Sequence, residues 1–110
     1  MRKILTFRRY FLDFYEQLEA KAQEKVDYAL MLLKTQNRIS AKFVKHLEDS
    51  IYELRAVYGD VTYRILFCFD EGNLVILLNS FQKKTRKTPR AVIDLAKKIR
   101  SDYYESKRRH

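Results

Sequence analysis

Ile51-Tyr52-Glu53-Leu54-Arg55-Ala56-Val57-Tyr58, Gly59-Asp60, Val61-Thr62-Tyr63-Arg64-Ile65-Leu66-Phe67-Cys68-Phe69, Asp70-Glu71-Gly72-Asn73 and then Leu74–Phe81 form the stretch that decides the fold. In the first run Tyr52, Leu54, Ala56 and Tyr58 alternate with Ile51, Glu53, Arg55 and Val57, the period of two of a strand. In the second, Val61, Tyr63, Ile65, Phe67 and Phe69 share one face and Arg64 lies on the other. Gly59-Asp60 and Asp70–Asn73 carry the residues that tight turns need. Leu74–Phe81 is apolar on both faces in its first half, as a strand covered on both sides would be. The stretch therefore predicts a three-strand antiparallel meander.

Upstream, Lys3 to Arg8 reads as a further strand. Between Tyr10 and Gln36 there is neither Gly nor Pro, and apolar residues recur at helical spacing: Phe11, Phe14, Tyr15 and Leu18, then Ala22, Val26, Ala29, Leu30 and Leu33. Periodicity leaves open one long helix or two with a break near Glu19–Lys21; a small domain favours two. Asn37–Leu47 reads as a connector, with a short helical turn over Ala41–Leu47 capped by Ser40. Downstream, Thr88-Pro89 predicts a helix start, Thr as N-cap and Pro at the first helical position. Val92, Leu95, Ala96, Ile99 and Tyr103 form its buried stripe. Residues 105–110 read as a basic tail, with Lys107-Arg108-Arg109-His110 a frayed, solvated end. The fold class is α+β: a small antiparallel sheet, made of an N-terminal strand and the meander, with two N-terminal helices and one C-terminal helix in a single domain over residues 1–110.

The 110 residues carry 23 Lys+Arg against 14 Asp+Glu, a formal net charge of +9. That imbalance points to a polyanionic partner: nucleic acid, an anionic membrane surface or an acidic protein. No run approaches the roughly 18 apolar residues of a membrane span, and Arg8-Arg9 interrupt any signal-peptide core. One Cys and two His make an internal disulfide impossible and a zinc site improbable, which points to a reducing, cytoplasmic compartment. Residues 1–55 hold 11 basic and 8 acidic side chains, residues 56–110 hold 12 and 6. Within the second half Lys83, Lys84, Arg86, Lys87 and Arg90 fall in a short segment free of acids.

The common signatures of nucleotide, metalloprotease and serine-hydrolase sites are absent. Cys68, within an apolar strand, reads as a packed core thiol rather than a nucleophile. His46 reads either as a solvated or strand-capping imidazole or as an acid/base group. Arg64, in so apolar a strand, either pairs with a carboxylate such as Glu53 or lines a site, and the two are compatible. Arg55 shares a strand face with Glu53. The segment from Lys83 to Thr88 leads into a helix N-terminus, which makes it a phosphate site or a solvated charge run. Tyr58, Tyr103 and Tyr104 are the exposed aromatic candidates for base stacking.

His46-Leu47-Glu48-Asp49-Ser50-Ile51-Tyr52-Glu53-Leu54-Arg55, then Tyr63-Arg64-Ile65, then Phe81-Gln82-Lys83-Lys84-Thr85-Arg86-Lys87-Thr88-Pro89 together resemble the RelE/ParE superfamily of bacterial toxins, and within it the HigB-type, phage-derived branch. The likeness runs from about Lys3 to Tyr103. One departure is Asn79-Ser80, where the branch commonly has His-Gly, so no histidine acts there. The resemblance implies two N-terminal helices and a toxin of a type II toxin–antitoxin system that cleaves mRNA in the ribosomal 30S A site without a metal or small-molecule cofactor. It also implies a helix-turn-helix, HigA-like antitoxin as partner and no membrane association.

Such cleavage needs a base for the 2′-hydroxyl, positive charge on the phosphorane and an acid for the leaving oxygen. Arg64 and Arg55 would neutralise the phosphate. Crowding favours loss of a proton from one of Lys83, Lys84 and Lys87, and another lysine or His46 would be the acid. Arg86, Arg90 and Phe81 would contact RNA or ribosome, and Glu53 and Pro89 would be structural. Two other readings remain: a toxin of the same fold that poisons DNA gyrase, as ParE-type members do, and an inactive protein that binds RNA or antitoxin.

Overall fold

A computed structural model describes the chain over residues 1–83 and 87–109, without the Lys83 side chain. In chain order the elements are β1 (Lys3–Thr6), α1 (Tyr10–Glu16), α2 (Ala20–Thr35), β2 (Val44–Glu48), β3 (Ile51–Tyr58), β4 (Val61–Asp70), β5 (Leu74–Lys83) and α3 (Arg90–Arg108). The fold is α+β, with the five strands in the order β1-β5-β4-β3-β2.

Two features of the sheet depart from the sequence expectation. It is mixed, because β1 pairs parallel to β5, with Ile4 opposite Val75. It also has a fifth strand: Val44–Glu48, expected as a helical turn, pairs antiparallel with β3. The hairpin that creates β2 turns through Asp49 and Ser50, both at positive φ (47° and 62°). A two-residue turn of this hand normally contains glycine, so nothing in the composition of Asp-Ser announces it. Lys97 pairs with Asp49 at 2.8 Å and Arg100 donates to the Asp49 carbonyl, so α3 holds the turn in place.

The sheet is covered on both sides. On one face α1 and α2 set Phe11, Ala22, Val26, Ala29 and Leu33 against Leu54, Ala56, Tyr63, Ile65, Phe67, Val75 and Leu77. On the other, α3 sets Ala96, Ile99 and Tyr103 against Ile51, Leu66, Cys68, Ile76 and Leu78. This explains the unbroken apolar run at the start of β5. The helical interval is broken at Gln17–Glu19, giving two helices. Arg2 closes the C-terminus of α2, donating to the carbonyls of Leu33 (2.9 Å), Gln36 and Asn37 (3.1 Å); a cation there also opposes the negative end of the helix dipole.

Helix α3 begins at Arg90, with Pro89 at the N-cap position and Thr88 outside it, because the Thr88 hydroxyl is engaged elsewhere. Its buried stripe is Ile93, Ala96, Ile99 and Tyr103; Leu95, expected inside, is 42% exposed. The helix continues to Arg108, longer than expected, because Lys107 pairs at 2.7 Å with Asp70. The same carboxylate accepts the Tyr103 hydroxyl at 2.6 Å, so Tyr103 is buried rather than available for stacking. His110 lies outside the described residues. Among the described residues, no helix is long and apolar enough to cross a membrane.

Candidate functional site

Glu53 is the centre of the polar group that the sheet assembles. Strand alternation sends Ile51, Glu53 and Arg55 toward α3, and Arg64 reaches the same face because it pairs directly with Arg55 across β3 and β4. Glu53 is fully buried. Its Oε2 accepts Arg55 Nε at 2.9 Å and Arg64 Nη1 at 3.0 Å, and its Oε1 accepts the Thr88 hydroxyl. One carboxylate thus orients two guanidiniums and fastens the chain just before α3. Of the two sequence readings of Arg64, the pairing with a carboxylate is observed: the residue is 5% exposed and bound to Glu53.

The group carries two positive charges against one negative. A carboxylate removed from water requires partners of this kind, because unpaired it would cost several kcal/mol. Arg55 differs from Arg64 in exposure, with a quarter of its side chain open to solvent. Its Nε is engaged by Glu53, and its two terminal nitrogens donate to no other described residue. Its guanidinium is planar and oriented through Nε, the geometry that suits bidentate binding of a phosphate.

The remaining expected residues divide clearly. Phe81 is opposite Arg64 on β5 and half-buried against the α3 side of the sheet. Lys83 pairs through its backbone with Thr62, two positions from Arg64. Lys87 is exposed and directly precedes Thr88. Lys84, Thr85 and Arg86 lie outside the described residues. Arg90 is tied to Glu48 at 2.6 Å and to Asp94 at 3.0 Å. These contacts, together with Lys97 on Glu48 at 2.5 Å, hold the Glu48 carboxyl down to about 2. Pro89 supplies the carbonyl that accepts the Val92 N–H at 3.0 Å.

His46 is not brought to the group. It pairs with Tyr52 on the opposite face of the sheet, its ring 5.1 Å from the Tyr52 ring. Cys68 is buried, and burial pushes its thiol up to about 11, consistent with a packed core residue. Asn79 and Leu78 together face Leu66 in a β-bulge, and Asn79 Nδ2 donates to the Val92 carbonyl at 3.1 Å, joining β5 to the first turn of α3. Among the described residues, no three His, Cys, Asp or Glu side chains stand together in a way that could hold a metal ion.

The Thr88–Glu53 contact and the Glu48–Arg90–Lys97 cluster were not anticipated from sequence. Glu48 and Glu53 both lie in the quoted motif, but Thr88 is 35 positions from Glu53 and Arg90 is 42 from Glu48, and local patterning carries no signal for such pairs.

Residues 13–101 match the family described as Phage derived protein Gp49-like (DUF891). The match covers most of the chain, which therefore belongs to that family, a toxin-like family of toxin–antitoxin systems. Membership implies an antitoxin as partner. Comparison with curated proteins gave no match.

Proposed function

We propose that this chain is the toxin of a type II system in the HigB-type branch of the RelE/ParE superfamily, and that it cleaves mRNA on the ribosome. The observation that carries the proposal is the buried Glu53 carboxylate holding Arg55 and Arg64 side by side, with a quarter of the Arg55 side chain open to solvent. In this reading the mRNA 2′-hydroxyl loses its proton and its oxygen attacks the adjacent phosphorus. The P–O5′ bond breaks, and the 5′ oxygen takes up a proton as it leaves. The products are a 2′,3′-cyclic phosphate and a 5′-hydroxyl.

Arg55 meets the phosphate directly and Arg64 adds positive charge from beneath. Stabilising the developing charge in this way is typically worth about 10²–10³-fold per donor. The base and acid come from Lys83, Lys84 and Lys87, whose segment runs between the β5 end opposite Thr62 and Thr88 on Glu53. Arg86 and Phe81 contact the RNA, and Arg90 contributes by fixing α3 to β2. The ribosomal A site supplies docking and alignment of the codon. A HigA-like helix-turn-helix antitoxin neutralises the chain.

The test is a reconstituted translation reaction with a defined mRNA. Cleavage only of the translated message, with fragment ends bearing cyclic phosphate and 5′-hydroxyl and no cut at a 2′-deoxy position, supports the proposal. Hydrolysis to 5′-phosphate, or an intact message at concentrations that arrest growth, contradicts it.

A further inference from the structure

A second basic feature adjoins Arg55, and its other residues have no part in the chemistry above. A groove of about 320 Å³ opens along the edge of β3, lined by Lys25 and Tyr28 from α2, Lys42 and Phe43 from the segment before β2, and Arg55, Ala56 and Val57 as its floor. Among the described residues, its lining includes three cationic residues and no acidic one. Tyr28 and Val57 are 52% and 56% exposed. The Tyr28 and Phe43 rings meet edge to face at 6.1 Å, and Lys42 Nζ lies 5.7 Å from the centre of the Phe43 ring.

The floor also presents backbone hydrogen-bonding groups. Strand β2 pairs with β3 only as far as Leu54, beyond which the Arg55 N–H donates to the Phe43 carbonyl at 2.7 Å. Strand alternation turns the Val57 N–H and C=O toward the same edge, past the end of β2. A donor and an acceptor therefore stand side by side in the groove.

We propose that this groove is a subsite for one nucleotide of single-stranded RNA, adjoining the phosphate bound at Arg55. The proposal rests on the reading of the chain as an RNA-cleaving toxin and names how that RNA is held next to the reacting bond. The volume suits one nucleotide, and the exposed face of Tyr28 supplies a platform on which a base stacks. The Val57 N–H and C=O match an adjacent acceptor–donor pair on a base edge. Lys25 and Lys42 meet the flanking phosphates, and the RNA passes the open edge of β3 to reach the Arg55 side chain on the α3 face.

The test measures binding of a short 2′-O-methyl single-stranded RNA, which cannot be cut, so the result is independent of cleavage. Fluorescence anisotropy compares the wild-type chain with Tyr28→Ala, Tyr28→Phe and Lys25→Glu/Lys42→Glu, with thermal melts checking that each variant is folded. Tyr28→Ala is expected to weaken binding about 5- to 100-fold, the range found for loss of one stacked base, with Tyr28→Phe retaining affinity. Lys25→Glu/Lys42→Glu is expected to weaken binding and to flatten its salt dependence. Unchanged affinity in folded Tyr28→Ala would overturn the subsite even if mRNA cleavage is intact. So would poly-L-glutamate binding with the same dependence on Tyr28, because the groove would then be a polypeptide-docking surface. Absence of cleavage alongside Tyr28-dependent RNA binding would instead overturn the proposed reaction and leave the subsite standing.

Discussion

Arg55 and Arg64 are directly opposed positions on β3 and β4, two like charges where the sheet ordinarily disfavours them. The arrangement persists because the buried carboxylate two residues before Arg55 accepts a hydrogen bond from each. Stability and site geometry thus depend on the same three side chains, but not equally.

Glu53→Ala leaves Arg64 buried beside a second cation without its carboxylate, so it is expected to cost about 3–5 kcal/mol. Arg55→Ala leaves Glu53 still held by Arg64 and Thr88 and removes a partly solvated group, so it is expected to cost less than about 1 kcal/mol. Urea unfolding separates the two. In the same pair of variants, cleavage should fall about 10²–10³-fold in Arg55→Ala although its fold is intact. A large stability loss in Arg55→Ala would show that it is chiefly structural.

The hairpin turn offers a test of local conformation. Ser50 sits at φ 62°, in the region that glycine occupies without steric cost. Ser50→Gly is expected to raise stability by about 0.5–1 kcal/mol, read as a higher urea midpoint at unchanged slope.

Acid should loosen the contact between β2 and α3. Arg90 and Lys97 lower the Glu48 carboxyl from 4.5 to about 2, so its contribution is complete above its unfolded value. That contribution is lost as pH falls through the window from 4.5 toward 2. Glu48→Gln should reduce the slope of melting temperature against pH in that window. Asp49, lowered by Lys97, and Asp70, lowered by Lys107 and Tyr103, add slope of the same sign.

The thiol provides a check on the core. With burial pushing Cys68 up to about 11, iodoacetamide at neutral pH should leave the folded chain unmodified and alkylate it fully in denaturant. Rapid labelling of the folded chain would show that the α3 side of the sheet opens.

Much of the fold was legible because it is written in local periodicity. The meander, the helical interval and the start of α3 near Pro89 each follow from spacing of two or 3.6 and from turn chemistry. Strand β2 was not legible, since Val44–Glu48 is short, half polar and joined to β3 through a turn without glycine. The parallel pairing of β1 is long-range and leaves no local pattern. In the site, Arg64 announced itself as a charge within an apolar strand, and Glu53 as its partner. Thr88 did not, because the capping role expected of it and the contact it makes with Glu53 are indistinguishable in sequence. His46 shares the motif with Glu53, but the register of β2 turns it to the other face of the sheet.

The central claim is that the Arg55–Glu53–Arg64 group cleaves mRNA during translation. Mapping of mRNA 5′ ends after brief induction, beside folded Arg55→Ala and Arg64→Ala controls, tests it most directly. The account expects new 5′-hydroxyl ends in phase with codons in the wild type, reduced at least about 100-fold in Arg55→Ala. Growth arrest with intact messages, or the same ends at the same abundance in Arg55→Ala, would contradict it.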